Sequence, residues 1–411
     1  MKAPAQDIGN MPLAAIDVSD ATLYQQDTWR PYFARLRAED PVHWSENDAF
    51  GGFWSVTRFQ DITAVDGNHE AFSSEPAITI GDYGDDLPVT QFIAMDPPIH
   101  DVQRAAVQGV VAPKNLSDLE NLIRQRVGSI LDELPVGETF NWVEKVSINL
   151  TTQMLATIFD FPFEDRHKLP YWSDMATSLP EIAGSDGDVD ERTAALQDCL
   201  AYFTALWHQR KHNSPDTMDL ISLLATNPNT RNMIEDPLEY LGNLVLLIVG
   251  GNDTTRNSIT GGVLALNQNP DEYAKLKANP ELIPSMVSEV IRWQTPLMHM
   301  RRVATRDVEL GGKMIRKGEK VVMWYLSGNH DDTAIDRPDQ FIIDRPNPRY
   351  HLSFGFGIHR CMGNRLGEMQ LRILWEEILR RFSHVEVVGE PERVLSNFVR
   401  GYSSLPVLLH T

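Results

Sequence analysis

The most informative ten residues of the chain are Phe354-Gly355-Phe356-Gly357-Ile358-His359-Arg360-Cys361-Met362-Gly363. Three glycines in so short a stretch allow the backbone to approach a flat or bulky group closely. A helical pattern begins at Asn364, and amide N–H groups at a helix start lower the pKa of a thiol and favour the thiolate. We therefore expect Cys361 to be a metal-binding thiolate, with a buried free cysteine in a glycine-rich turn as the ordinary alternative.

The metal that suits Cys361 is haem iron. No second cysteine and no histidine pair lies nearby at zinc-ligand spacing, whereas a single thiolate ligand on haem favours O–O cleavage. The stretch resembles the haem-binding loop of the cytochrome P-450 superfamily, Phe-Gly-x-Gly-x-His/Arg-x-Cys-x-Gly, and every fixed position is present. The resemblance implies haem b as cofactor and O2 as co-substrate, with Cys361 as the metal ligand. It also implies that Phe354 and Gly363 pack beside the haem and that His359 contacts a propionate.

Composition limits the class of protein. The chain has 411 residues and a net charge of −20, from 37 basic and 57 acidic side chains, so we do not expect it to bind nucleic acid or an anionic membrane. Its two cysteines indicate no disulfide framework. The first twenty residues contain no apolar run typical of a signal peptide or membrane span. We expect a cytoplasmic monomer with no membrane anchor.

Helical periodicity dominates the rest of the chain. Apolar residues recur every three or four positions in 115–134, 142–161, 190–212, 237–267, 270–279, 283–294 and 365–382. Residues 43–57 resemble a hairpin, 308–325 alternate around glycine turns, and 405–409 form a further strand. Residues 73–98 and 331–350 are irregular and typical of functional loops. We expect one domain over 1–411, mainly α with small β-sheets, its β-rich part near 40–75, 305–325 and 385–411. The resemblance implies a triangular helical prism around haem.

Glu289 and Arg292 are three residues apart on a predicted helix and therefore share one face. Taken alone, the pair is typical of a solvated surface ion pair. The family resemblance instead implies a structural triad, completed by Arg345, that holds the haem-binding core.

Residues 250–255, Gly-Gly-Asn-Asp-Thr-Thr, interrupt the long apolar helix that begins at Pro237. Two adjacent glycines favour a local distortion, at which an acid and a hydroxyl offer a proton source and a hydrogen-bond donor. Spacing equally allows a helix end here, with Asp253 or Thr254 capping a following helix. The resemblance implies catalytic roles, with Asp253 supplying protons and Thr254 stabilising the reduced oxygen.

Three basic residues match haem-propionate positions of the family. His100 and Arg104 follow a turn at Asp96-Pro97-Pro98 and lie four apart on a predicted helix, a spacing that is ordinarily just that of an amphipathic helix. Arg302 precedes a predicted strand, and a guanidinium can donate two parallel hydrogen bonds to one carboxylate. Arg301 is the alternative at that position.

The substrate is expected to be apolar. Residues that match the family's pocket walls are Leu246, Val249, Gly250, Leu297, Met298, Met300 and Phe398. Residues 250–259, 297–302 and 323–331 resemble a bacterial subfamily that hydroxylates the terminal carbon of medium-chain alkanes and fatty acids. The alternatives are a terpenoid or sterol substrate, or a haem-thiolate sensor or carrier without turnover.

Electrons must come from another protein, because no flavin or iron–sulfur segment is recognisable in the chain. The resemblance implies an iron–sulfur ferredoxin and its NAD(P)H-dependent reductase. Five arginines near the cysteine predict a docking patch for an acidic partner: Arg360, Arg365, Arg372, Arg380 and Arg381. For the last three, a solvated helix face is the alternative.

Overall fold

The structure, a computed structural model, describes residues 8–82, 89–178, 187–214 and 217–411. The described chain is mainly helical. Its α-helices are α1 (Thr22–Gln25), α2 (Arg30–Glu39), α3 (Phe59–Asp66), α4 (Ile99–Val107), α5 (Pro113–Asp132), α6 (Asn149–Ile158), α7 (Lys168–Ala176), α8 (Val189–Arg210), α9 (Leu220–Thr226), α10 (Pro237–Gln268), α11 (Pro270–Ala278), α12 (Ile283–Gln294), α13 (Tyr325–Gly328) and α14 (Asn364–Arg381). A π-helical turn, Val143–Ile148, leads into α6.

Each helix expected from apolar spacing is present, and its ends differ from the expected ones by at most three residues when the π-helical turn is counted with α6. Apolar spacing reports which face of a helix is buried, whereas the ends depend on capping and the local chain path. Helix α10 is buried along most of its length and packs against α6, α7, α8, α12 and α14. It therefore forms the centre of the helical region.

Helix α10 runs without a break through Gly250 and Gly251. The alternative of a helix end at Asp253 or Thr254 is therefore wrong. Gly251 serves close packing against α6. A Cβ at Gly251 would lie 2.7 Å from the Cδ2 atom of Leu155 on α6, whereas a Cβ at Gly250 would meet nothing within 4 Å. Gly250 thus borders open space.

The strands form small sheets beside the helices. They are β1 (Val42–Ser45), β2 (Phe53–Val56), β3 (Phe72–Ser73), β4 (Phe140–Asn141), β5 (Met300–Ala304), β6 (Val308–Leu310), β7 (Lys313–Ile315), β8 (Lys320–Met323), β9 (His384–Val387), β10 (Glu392–Arg393), β11 (Tyr402–Ser404) and β12 (Pro406–His410). One mixed sheet has the order β1-β2-β8-β5-β3, with β2 and β8 parallel. The predicted hairpin corresponds to β1–β2, the alternating segment 308–325 contains β6, β7 and β8, and the predicted C-terminal strand is β12, between β4 and β9.

Residues 331–350 contain no helix or strand, as expected for an irregular loop. Of the other irregular segment, 73–98, residues 83–88 lie outside the described residues. The cysteine-containing stretch, 354–363, follows the irregular loop 331–350 and leads into α14. It lies between the mixed sheet and the long helices. Within the described ranges, no helix is long and apolar enough to cross a membrane.

Candidate active site

The cysteine loop closes on itself before α14 begins. The backbone N–H of Cys361 donates to the carbonyl of Phe354 at 2.8 Å. Gly355 and Gly357 both have φ of 66°, the left-handed region in which an L side chain is strained. A Cβ at Gly357 would also stand 2.3 Å from the carbonyl oxygen of Asp66. Both glycines are therefore required by the path of the loop.

Asp66, at the end of α3, anchors this loop and was not predicted from the sequence. Its Oδ2 accepts from the backbone N–H of Phe356 and from the hydroxyl of Tyr325, each at 2.7 Å, and its Oδ1 accepts from Arg302 at 2.7 Å. The carboxylate is almost fully buried, so these contacts replace its hydration. A single aspartate at a helix end has no local pattern that would have indicated this role.

Cys361 presents its exposed surface to a large internal cavity. Burial raises the pKa of its thiol, while the N–H of Gly363, the charges of Arg104 and Arg360 and the N–H of Asn364 lower it. The expected helix-start amides are present, but burial outweighs them and the net shift of the pKa is upward. The amides lower the pKa as predicted, and a metal cation bound to the sulfur would favour the thiolate further.

Two histidines meet beside the loop. The rings of His100 and His359 lie 4.2 Å apart between centroids. The Nε2 atom of His359 is 2.8 Å from the hydroxyl of Ser74, and the Nδ1 atom of His100 is 2.8 Å from Asp101. Burial lowers the pKa of His359 to about 2 and also lowers that of His100. Both rings are therefore neutral near pH 7, and each can donate only one hydrogen bond.

Arg104 and Arg302 line the cavity together with His359. Arg104 donates to the carbonyl of Arg360, next to the cysteine. Arg302 uses Nη1 on the carbonyl of Arg301 and Nη2 on Asp66, which leaves further N–H groups of its guanidinium for another acceptor. Arg301 is directed to Asp82 instead and does not line the cavity, so the sequence-based preference for Arg302 agrees with the geometry.

Helix α10 forms the wall that faces the cysteine. Gly250 and Thr254 line the cavity, and the Thr254 hydroxyl donates to the Gly250 carbonyl at 2.8 Å. Asp253 is buried on another face of the helix, with Oδ1 3.0 Å from Arg256. Burial raises the pKa of Asp253 to about 6, Arg256 opposes this shift, and Asp174 adds to it. Asp174 of α7 is half exposed and pairs with Arg256, so it connects Arg256 to solvent.

The predicted substrate residues divide into two groups. Those that line the cavity are Leu246, Val249, Gly250, Leu297, Met300 and Phe398. Met298 does not, and its prediction as a pocket residue is wrong. It is fully buried in a separate apolar cluster with Trp29, Phe33 and Trp324. Neighbouring side chains of extended backbone point to opposite sides, so Met298 faces away when Leu297 faces the cavity.

Glu289, Arg292 and Arg345 form a buried triad at the base of the loop. Arg292 binds both carboxylate oxygens of Glu289, at 2.7 and 2.8 Å, and Arg345 binds Oε2 at 2.9 Å. The N–H of Ile342 completes the set at 2.9 Å. Arg292 also donates to the carbonyl of Asn329 and to those of Pro338 and Gln340 in the irregular loop. The surface ion-pair alternative is therefore wrong.

The donor set fits a flat group with two carboxylates and a metal centre. The Nδ1 atom of His359 and the Nε2 atom of His100 are buried without a hydrogen-bond partner among the described residues. Arg104 and Arg302 add positive charge on the same side, and a sulfur faces the cavity. Buried polar atoms without partners indicate a missing ligand. The residues present thus suit a porphyrin with propionates and an axial thiolate.

Comparisons with known proteins agree with this geometry. The family model described as Cytochrome P450 matches residues 110–405. The structure of Cytochrome P450-153 from Novosphingobium aromaticivorans is 44% identical, with a TM-score of 0.89 over 96% of this chain and 99% of that one. Linalool 8-monooxygenase of Pseudomonas putida is 34% identical over 96% of this chain and 98% of its own length. Methyl-branched lipid omega-hydroxylase of Mycobacterium tuberculosis is 31% identical over 98% of both.

The match spans well over half of the chain, and these relatives cover nearly all of it. The resemblance inferred from the cysteine loop is thereby confirmed, as are haem b and O2 as the cofactor and co-substrate. The chain belongs to the cytochrome P450 family and is a haem-thiolate monooxygenase.

Proposed function

We propose that this monooxygenase hydroxylates the terminal carbon of medium-chain alkanes and fatty acids. The observation that carries the proposal is the cavity wall opposite Cys361, which is apolar at Leu246, Val249, Leu297 and Phe398. Such a wall favours a hydrocarbon chain. The relative named methyl-branched lipid omega-hydroxylase, at 31% identity over nearly the full length, supports a chain end as the site of reaction.

Haem, when bound, activates O2 and inserts one oxygen atom into a C–H bond while the other is reduced to water. We propose that the Cys361 thiolate would hold the haem iron and that Phe354 and Gly363 would pack beside it. A Cβ at Gly363 would lie 4.0 Å from the Cys361 sulfur, an ordinary van der Waals contact, so this glycine lies directly beside the sulfur. Arg104, Arg302 and His359 would bind the propionates by donating hydrogen bonds. His100, whose Nδ1–H is given to Asp101, would donate to a propionate from Nε2 only in its protonated form, which the negative charge of a propionate favours.

The proton route is proposed to begin at the surface with Asp174 and Arg256. Asp253 has a pKa of about 6, so it can both hold and release a proton near pH 7. Because Asp253 does not line the cavity, its side chain must leave Arg256 and rotate to pass a proton toward Thr254. Thr254 would then donate from its hydroxyl into the cavity, giving up its bond to Gly250.

The electron donor is proposed to be an iron–sulfur ferredoxin, reduced by an NAD(P)H-dependent reductase. Arg360 and Arg365 are exposed next to Cys361 and have no acidic partner in the described part of the chain. In contrast, Arg372 pairs with Glu120 and Glu376. The other two helix arginines, Arg380 and Arg381, also pair with acidic side chains of this chain. The predicted patch therefore narrows to Arg360 and Arg365.

A terpenoid substrate is the second candidate. It is favoured by the 34% identity to linalool 8-monooxygenase. A sensor or carrier role receives no such support, because the named relatives are monooxygenases or hydroxylases.

The test is product analysis with the ferredoxin-supported holoenzyme on dodecane, dodecanoic acid, linalool and a sterol. We expect 1-dodecanol and 12-hydroxydodecanoic acid as the main products. Hydroxylation mainly at internal carbons, or turnover of only linalool or the sterol, would contradict terminal hydroxylation of linear chains.

The relay is tested separately with Thr254→Ala and the conservative control Thr254→Ser. We expect the alanine variant to consume NADH with several-fold less product per NADH, because the cavity loses its hydroxyl donor, and we expect serine to restore the yield. An unchanged yield in the alanine variant would remove Thr254 from the relay.

A further inference from the structure

Asn252 is a fully buried polar side chain on α10, next to Asp253 in sequence. Its Nδ2 atom donates to Oδ1 of Asp253 at 3.1 Å, and its Oδ1 atom accepts from the hydroxyl of Thr151 on α6 at 2.8 Å. An ionised carboxylate can only accept hydrogen bonds, so the amide must turn its NH2 group toward Asp253 and its oxygen toward Thr151. The ionised form of Asp253 therefore fixes the orientation of the Asn252 amide.

Thr151, which is also fully buried, has a second acceptor within reach. Its hydroxyl lies 3.0 Å from the carbonyl of Ser147, in the π-helical turn before α6. If the Asn252 amide turns by 180°, its NH2 group can donate to the Thr151 oxygen while the Thr151 hydrogen goes to Ser147. The amide oxygen of Asn252 then faces Asp253 and can accept from a protonated carboxyl. Asn252 and Thr151 thus keep their hydrogen bonds in both protonation states of Asp253.

The other groups that face Asp253 come from α10 and α7. Burial is the largest influence on the pKa of Asp253 and raises it, Arg256 of α10 lowers it, and Asp174 of α7 raises it. Ser173 of α7 and Asn252 lower this pKa as well. Arg256 also binds Asp174, so its positive charge is divided between two carboxylates. In the described part of the chain, the Nδ2 atom of Asn252 donates to Asp253 alone.

We propose that Asn252, held by Thr151, is a positioning residue of the proton route: its amide donates to the ionised form of Asp253 and, turned by 180°, accepts from the protonated form. The inference rests on the proposed route through Asp253 and Thr254, and it adds two residues that do not line the cavity. A hydrogen bond to a carboxylate is stronger than one to a neutral carboxyl, so Asn252 favours the ionised form overall. It thereby helps a fully buried acid to release its proton.

The test is the pH profile of product formed per NADH by the holoenzyme, with the most rapidly oxidised of the four compounds above. In wild type the yield should fall as the pH rises through the pKa of Asp253, about 6, because the protonated carboxyl supplies the proton. Asn252→Leu removes a bond to the ionised form, so it should move this fall to higher pH by about one pH unit. Thr151→Val leaves the Asn252 amide in place without its support, so it should move the fall in the same direction by less. Thr151→Ser should restore the wild-type profile.

The matched control is Thr260→Val. Thr260 of α10 is fully buried and pairs with the Ser147 hydroxyl at 2.8 Å, so this change removes a hydroxyl contact between the same two segments without touching Asp253. It should leave the pH profile unchanged. A profile that falls in wild type but does not move in Asn252→Leu, or that moves equally in Thr260→Val, would overturn the positioning role alone. If Asn252→Leu does not bind haem, the comparison of Thr151→Val with Thr151→Ser decides the same question. A yield that is independent of pH in wild type and unchanged in Asp253→Asn would refute the proton route itself, and the positioning role with it.

Discussion

Replacing Asp253 with Asn should stabilise the protein more at high pH than at low pH. In the folded chain burial raises the pKa of Asp253 to about 6, from an ordinary value of 3.8. The folded state therefore binds this proton more tightly than the unfolded state. The contribution of this proton to the free energy of unfolding is fully present below about pH 4. It is lost as the pH rises through about 6, and it is absent at higher pH.

The size of the effect follows from the two pKa values. A difference of about 2 between the folded and unfolded pKa corresponds to about 3 kcal/mol. The free energy of unfolding of the wild type is lower by this amount at pH 8 than under strongly acidic conditions, as far as Asp253 contributes to it. At pH 5 the loss is only about half of this, because the folded carboxyl is still mostly protonated. The stability difference between Asp253→Asn and wild type should thus grow by roughly 1–2 kcal/mol between pH 5 and pH 8.

Urea unfolding of the haem-loaded proteins, followed by tryptophan fluorescence at both pH values, measures this difference. Comparing variant with wild type at each pH cancels the titration of the remaining groups. Asp190→Asn, at an exposed position of α8, controls for the loss of one acidic residue. If the stability difference is equal at the two pH values, or smaller at pH 8, burial does not control the protonation of Asp253. The proposed route would then lose its proton-holding group.

Three further predictions concern the haem side of the molecule. Cys361→Ser should abolish the absorption band of the reduced, carbon monoxide-bound protein that is diagnostic of thiolate ligation; an unchanged spectrum would refute the assignment of the ligand. Glu289→Ala should lower the free energy of unfolding by about 3–5 kcal/mol, because it leaves two arginines buried without their carboxylate, whereas Glu39→Ala at an exposed ion pair should change the unfolding midpoint little. Arg365→Glu should raise the KM for ferredoxin several-fold and make it less salt-dependent, and Arg372→Glu, whose charge is already paired, should have a smaller effect in the same steady-state assay.

The sequence predicted the helices and the cysteine loop well because both depend on local information. Apolar spacing marks the buried face of a helix such as α10, and the glycines before Cys361 mark a strained turn wherever it packs. The order of the motifs then identified the family. What each motif contacts in space could not be obtained in the same way.

The errors and omissions come from contacts between distant parts of the chain. Asp66 lies about 290 residues before the loop it holds, and nothing near it in sequence indicates that contact. The upward pKa of Cys361 depends on burial, which its neighbours in sequence do not specify. Met298 was misplaced because its short extended segment did not reveal which side faced the cavity.

The attachment of the cysteine loop to Asp66 has an evolutionary consequence. The loop is tied to α3, to Tyr325 of α13 and to Arg302 of β5, whereas α8, α9 and the segment around Gln91 form the remote wall of the cavity. Mutations that reshape the remote wall therefore leave the bonds around the sulfur untouched. Enzymes built in this way can acquire new substrates during evolution while the haem-binding site is inherited unchanged. Directed evolution of new specificities should therefore start from the remote wall.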